Sequence, residues 1–187
     1  MKEIYKQYKP FFLFLTRFIC SYIVLLLLYK IFLNGFDVKN NEIDSVTYLV
    51  AEQSNWVLNK LGYKSYIVRS NIEPCVNLFF GTAGYYVRII EGCNAVSVMI
   101  LFISFCIAFS AYFVRTFLYI IFGLLIIYVL NIVRICSILI LTIKFPNIEE
   151  LLHDVFFPLF IYGVVFVLWC LWLFKFSGYA EKYAIKK

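Results

Sequence analysis

Residues 116–142 read TFLYIIFGLLIIYVLNIVRICSILILT, a run whose single charge is Arg134. It exceeds the roughly 20 residues that a helix needs to cross a hydrocarbon core. Three further stretches qualify. Residues 11–33 are interrupted by Arg17 and Lys30 near the two ends, where long basic side chains can snorkel to the headgroups. Residues 94–113 carry no charge, and 155–174 place Pro158 in the first turn, where a missing N–H costs little. The composition agrees: 64% of the 187 residues are hydrophobic, against about 45–50% in an ordinary soluble domain. With 15% charged residues the chain is also unlike a disordered one, and 21 Phe, 15 Tyr and 3 Trp suit a lipid-facing surface. The sequence predicts an all-α polytopic membrane protein of about four transmembrane helices, residues 1–187 forming one membrane domain. A small external α+β insertion lies between the first and second helix. Its partner is the lipid bilayer, not nucleic acid.

Charge placement gives the orientation. Lys2, Lys6 and Lys9, then Arg115, then Lys175, Lys182, Lys186 and Lys187 flank one set of span ends, with only Glu3 and Glu181 beside them. The other two connections hold Asp37, Glu42, Asp44, Glu52, Glu73, Glu91, Glu149, Glu150 and Asp154 against Lys39, Lys60, Lys64, Arg69, Arg88 and Lys144. Both termini are therefore expected in the cytoplasm, with 34–93 and 143–154 facing outward. No A-x-A pattern follows the first span, whose end reads Ile31-Phe32-Leu33-Asn34-Gly35, so it is expected to act as an uncleaved signal anchor.

A connection as long as 34–93 calls for structure of its own. Ile43, Val46, Leu49, Val50, Val57 and Leu61 recur at helical spacing and Gly62 follows as a stop. Residues 63–69, 75–80 and 85–90 are β-rich, and Gly81-Thr82-Ala83-Gly84 between the last two reads as a hairpin loop. A helix-plus-hairpin insertion over 34–92 is expected.

Polar residues at membrane depth narrow the search for chemistry. Arg134 falls about eight residues, or ~12 Å, from the outer end of its span. A buried guanidinium is costly there, at least ~2.5–3.5 kcal/mol, and marks a functional site; the plainer alternative is snorkelling toward Glu149 or Glu150. Asn131 lies three residues earlier on the same face. Cys93, in Glu91-Gly92-Cys93-Asn94, is expected at the N-terminus of the second span, where free N–H groups and the helix dipole favour a nucleophilic thiolate. Ser97 would share its face, and Ser97, Asn131 and Arg88 are expected to contact the substrate. His153, the only histidine, falls at the mouth of the last span beside Asp154. One histidine, without H-E-x-x-H or a Cys/His cluster, argues against a zinc site, and no cofactor is expected.

Cys93, Arg134 and His153, from three separate spans, would meet at the outer face. A thiol, a guanidinium and an imidazole can together perform acyl transfer. Arg88, on the strand leading to Cys93, could orient a substrate backbone or simply decorate the sheet. Cys20, Cys106 and Cys170 read as small buried apolar side chains within spans, and Cys136 as facing away from Arg134. Cys75 and Cys93 could instead form a structural disulfide in a non-catalytic membrane scaffold or assembly factor. A small transporter lined by Arg134 would call for more intramembrane polar residues.

Glu91-Gly92-Cys93-Asn94-Ala95-Val96-Ser97 resembles the cysteine motif of the exosortase/archaeosortase family of membrane cysteine transpeptidases, E-x-C-(S/N)-x-x-x-S. Asn131-Ile132-Val133-Arg134-Ile135 resembles its N-x-x-R-I motif, and His153 its third position. The resemblance covers about residues 85–170 and is nearest to the short exosortase F-type members of Gram-negative bacteria; larger members have about eight spans. It implies cleavage of exported proteins that carry a C-terminal motif, transmembrane helix and basic tail, at the outer face of the inner membrane. The new C-terminus would pass to an unidentified acceptor. Cys93 as nucleophile, with Arg134 and His153 as its partners, follows from that resemblance.

Overall fold

A computed structural model describes residues 2–36, 42–81, 84, 86–110, 112–145 and 155–178. In order, the elements are α1 (Lys2–Leu33), α2 (Ser45–Lys60), β1 (Ser65–Arg69), β2 (Val76–Phe80), β3 (Tyr86–Ile89), α3 (Val96–Ala108), α4 (Phe113–Lys144) and α5 (Phe157–Leu171). A single 3₁₀ turn, Glu91–Cys93, joins β3 to α3, and a π turn, Trp172–Phe176, prolongs α5. Among the described residues, three helical segments are long and apolar enough to cross a membrane: Phe11–Leu33, Phe113–Lys144 and Phe157–Phe176. The chain is a multi-pass membrane protein.

The second span is shorter than its sequence implies. α3 has 13 residues, about 20 Å at 1.5 Å per residue, where 94–113 was expected. Hydropathy counts residues and not conformations: Ala95 adopts a left-handed backbone (φ 62°), so the helix starts only at Val96.

α1 runs antiparallel to α3 along its length. Phe14 stacks on Phe109 at 4.2 Å, the Ser21 hydroxyl lies 3.5 Å from the carbonyl of Ser104, and Tyr29 meets Asn94. The opposite side of α3 packs on α4 and α5, where Phe102, Cys106, Tyr119, Ile127, Val165, Leu168 and Trp172 form a buried core. Tyr119 donates to the Leu168 carbonyl at 2.7 Å. α4 passes so close to α3 that a methyl group on Gly123 would enter the Phe102 ring. Gly123→Ala should therefore cost about 1–3 kcal/mol through overpacking, read as a lowered unfolding midpoint in detergent. Combining it with Phe102→Leu should lose less than the two single losses summed.

At 32 residues, about 48 Å, α4 is much longer than a ~30 Å hydrocarbon core. Its second half serves another core: Ile132, Ile135, Cys136 and Leu139 pack with Val50, Ala51 and Leu58 of α2 and with Val76, Leu78 and Ile89 of the sheet. The expected amphipathic helix is α2. Asp44 caps it by accepting from Thr47 N–H at 2.9 Å, and Gly62, at φ 87°, follows its end. The three expected strands form one antiparallel sheet in the order β1-β2-β3. Tyr66 pairs with Phe79, which pairs with Tyr86. Ile67, Leu78, Val87 and Ile89 face the core.

Candidate active site

Cys93 ends the short turn between sheet and membrane helix. The chain leaves β3 still extended at Ile90 (φ −109°, ψ 173°) and then folds back, Cys93 N–H donating to the Ile90 carbonyl at 2.8 Å. The thiol is free and half-buried, against the core shared by α2, the sheet and α4. It is not on the first turn of α3, as expected: Asn94 and Ala95 intervene. The first N–H of that helix, on Val96, is already taken by the Asn94 side-chain oxygen at 2.9 Å.

Asn94 is the anchor of this turn. Only 1% exposed, it donates through Nδ2 to the Tyr29 hydroxyl of α1 and to the Thr47 hydroxyl of α2, each at 3.0 Å. Tyr29 in turn donates to Glu91 at 2.7 Å, and the Thr47 hydroxyl to Asp44. The hydrogen bonds thus run from one carboxylate to the other across three elements, with Asn94 in the middle. A left-handed alanine costs of order 1–3 kcal/mol and persists only where its surroundings over-determine it; this network supplies the constraint at Ala95. Tyr29, Asp44, Thr47 and Asn94 were not singled out from sequence. Asn94 directly follows Cys93 and was the nearest available signal.

The second motif reaches the same turn. Asn131, fully buried in α4, donates through Nδ2 to the Cys93 carbonyl at 2.8 Å. That hydrogen bond of Asn131 is to the protein's own backbone. Its Oδ1 and the Nε of Arg134, three residues on, are both buried without a hydrogen-bond partner among the described residues. Native proteins rarely leave such groups unpaired; with Thr142 Oγ1, α4 carries three of them, and these two lie one turn apart beside the cysteine turn.

Arg134 is half-buried. Asn131 lies 18 residues beyond the start of α4, about 27 Å. Arg134 therefore sits where α4 leaves the helix bundle for the α2 and sheet layer. The end of the apolar run beyond it packs on α2 and the sheet.

The remaining candidates are dispersed. Arg88 is exposed on β3 and pairs with Glu73 at 3.0 Å. Ser97 is exposed on the first turn of α3. His153, like Glu149, Glu150 and Asp154, lies outside the described residues. Cys75 is buried and, like Cys93, a free thiol; Cys136 is buried and turned toward the Ser54 carbonyl of α2. Cys106 is buried and Cys170 partly so, whereas Cys20 is exposed on α1, and is not the buried apolar group expected. No cluster of three or more His, Cys, Asp or Glu that could hold a metal ion occurs among the described residues. A cavity of about 750 Å³ lies elsewhere, between the end of α1, the start of α2 and the end of β1, and none of the candidate residues lines it.

The family model for transmembrane exosortases matches residues 12–175, which takes in most of α1, the sheet, the cysteine turn and both later spans. No curated protein matches the chain, and neither does any solved structure. From the first membrane helix to the end of the last, including the turn that Asn131 ties to α4, this chain belongs to the transmembrane exosortase family.

Proposed function

We propose that the protein is a membrane-embedded cysteine transpeptidase that cleaves C-terminal sorting signals from exported proteins, with Cys93 as nucleophile. Family membership supports the reaction class. The observation that carries the site is the hydrogen bond from Asn131 to the Cys93 carbonyl, which joins the cysteine motif to the Asn-Arg motif across 38 residues of sequence.

In the proposed reaction the Cys93 thiolate attacks the scissile carbonyl carbon, and the C=O pair moves onto oxygen. Arg134, charged even when half-buried, stabilises that oxyanion. As the oxyanion collapses, the C–N bond breaks. His153 gives its proton to the departing amine, which leaves with the membrane helix and basic tail. A thioester remains on Cys93. An acceptor amine or water then adds to the thioester carbonyl and expels the Cys93 sulfur; the proton lost by the acceptor returns to His153.

In this reading both termini are cytoplasmic, residues 34–92 form an extracytoplasmic insertion in one membrane domain, and the reaction takes place on the periplasmic side of the inner membrane. The charge distribution supports this orientation. The rival reading, a scaffold held by a Cys75–Cys93 disulfide, gains nothing from two separate free thiols.

The test is a C-terminal proteome comparison of host cells with and without the protein. Exported proteins ending in a membrane helix and basic tail should keep that tail only in its absence. Identical C-termini in both strains would refute the proposal.

A further inference from the structure

We infer that the outer edge of β3 is a docking strand: an extended segment of the substrate, just N-terminal to the bond cut, adds to it as a fourth, parallel strand. The inference deepens the proposed function and rests on it.

Two hydrogen bonds fix which way each strand's main chain points. Gly81 N–H donates to the Lys64 carbonyl at 2.6 Å and Ser70 N–H to the Cys75 carbonyl at 3.0 Å. In an antiparallel pair, bonded and unbonded residue pairs alternate. With Tyr66 opposite Phe79 and Val68 opposite Asn77, residues 77 and 79 of β2 therefore turn their main-chain groups toward β1, and residues 76 and 78 turn theirs toward β3. Val76 is opposite Ile89 and Leu78 opposite Val87, so Val87 and Ile89 are spent on the ladder. Tyr86 and Arg88 direct their N–H and C=O groups away from the sheet. Ile90, still extended, continues the pattern with its N–H, while its C=O holds the cysteine turn.

Among the described residues nothing bonds to these outward groups of Tyr86 and Arg88 or to the Ile90 N–H. The opposite edge of the sheet is treated differently. There the outward N–H and C=O of Ser65 are both taken by the Asn59 side chain, at 3.3 and 3.0 Å. Folded proteins cover or blunt exposed edges, because an open one is a template for another chain. Among the described residues the end of the far edge at Ser65 is capped, whereas no part of the edge that runs into Cys93 is.

Polarity selects the occupant. β3 runs toward Cys93, so a strand parallel to it also ends there in its own N-to-C direction. The segment entering from the exported domain has that polarity; the residues beyond the cut belong to a membrane helix, which cannot pair. Arg88 would bond two alternate substrate residues, and the Ile90 N–H the second of them. From Ile90 to Cys93 the 3₁₀ turn rises about 6 Å, the length of about two extended residues. The bond cut thus falls about two residues past the last paired one. Main-chain pairing of this kind gives affinity that is largely independent of side chains.

The probe is therefore a mixed-sequence pool of acetyl-tetrapeptidyl vinyl sulfones, which alkylate Cys93 in the full-length protein, with N-ethylmaleimide as a measure of thiol access. The pool should react about tenfold or more faster than acetyl-alanyl vinyl sulfone, and N-methylation of the peptide nitrogens should remove that advantage at alternate positions only. Arg88→Pro deletes an outward N–H without breaking a ladder bond; it should reduce the pool to the single-residue rate and leave N-ethylmaleimide labelling unchanged. Arg69→Pro, on the far edge, should leave both rates unchanged. A rate insensitive to N-methylation, with normal N-ethylmaleimide labelling, overturns the docking strand alone. Failure of every probe to label Cys93 overturns the proposed function and this inference with it. If Arg88→Pro does not fold, the N-methyl series on the unaltered protein decides.

Discussion

Cys93→Ala should insert and fold as the unaltered protein does and lose processing by at least about a thousandfold, because nothing else in the site can hold the acyl group. The packing argues that folding survives. Cys93 is only partly buried, at the margin of its core, and the bonds that shape its turn use its backbone: N–H to Ile90 and C=O from Asn131. Alanine keeps both. Loss of an exported protein's cleavage, seen as retention of its tail by gel mobility or mass, with normal membrane yield and unfolding midpoint, is the expected outcome. Processing that persists above a few per cent would remove the nucleophile from Cys93.

Arg134→Lys should lower turnover by about a hundredfold or more, in the range seen when an oxyanion donor is removed. Charge is kept in this variant, but the planar fork of donors is not. The buried Nε of Arg134, without a partner in the described residues, is the donor that a lysine cannot supply at that position. Single-turnover kinetics should show the loss in the acylation step, with substrate affinity little changed. Near-normal turnover would reduce the role of Arg134 to that of a positive charge.

Much of the fold was legible because burial imposes a period. The apolar runs gave α1, α4 and α5; the stripe through Val50, Val57 and Leu61 with Gly62 behind it gave α2; and the β-rich runs gave the three strands to within two residues. What failed was conformational. Nothing in the residue type of Ala95 announces a left-handed backbone, so α3 was read as too long and Cys93 as its first turn. The candidate site was legible only where residue type carries chemistry. Cys93 and Arg134 stood out as a thiol and an intramembrane cation, whereas the acceptor for Asn131 is a main-chain carbonyl, which has no signature in sequence. Tyr29, Thr47 and Asn94 come from three distant segments, and each alone is an ordinary residue. The side chain of Arg88, the part its sequence announces, is engaged with Glu73, while the open groups of its strand are main-chain atoms. His153 stands on the family resemblance.

The acyl-enzyme itself offers the most direct test. Substrate-loaded protein quenched in acid and analysed by intact mass and peptide mapping should carry the substrate's new C-terminus on the Cys93 peptide, in a linkage cleaved by neutral hydroxylamine and absent from Cys93→Ala. Detection of a Cys75–Cys93 cystine in the active, unloaded protein, or of processing without any adduct on Cys93 under conditions that stall deacylation, would contradict the account.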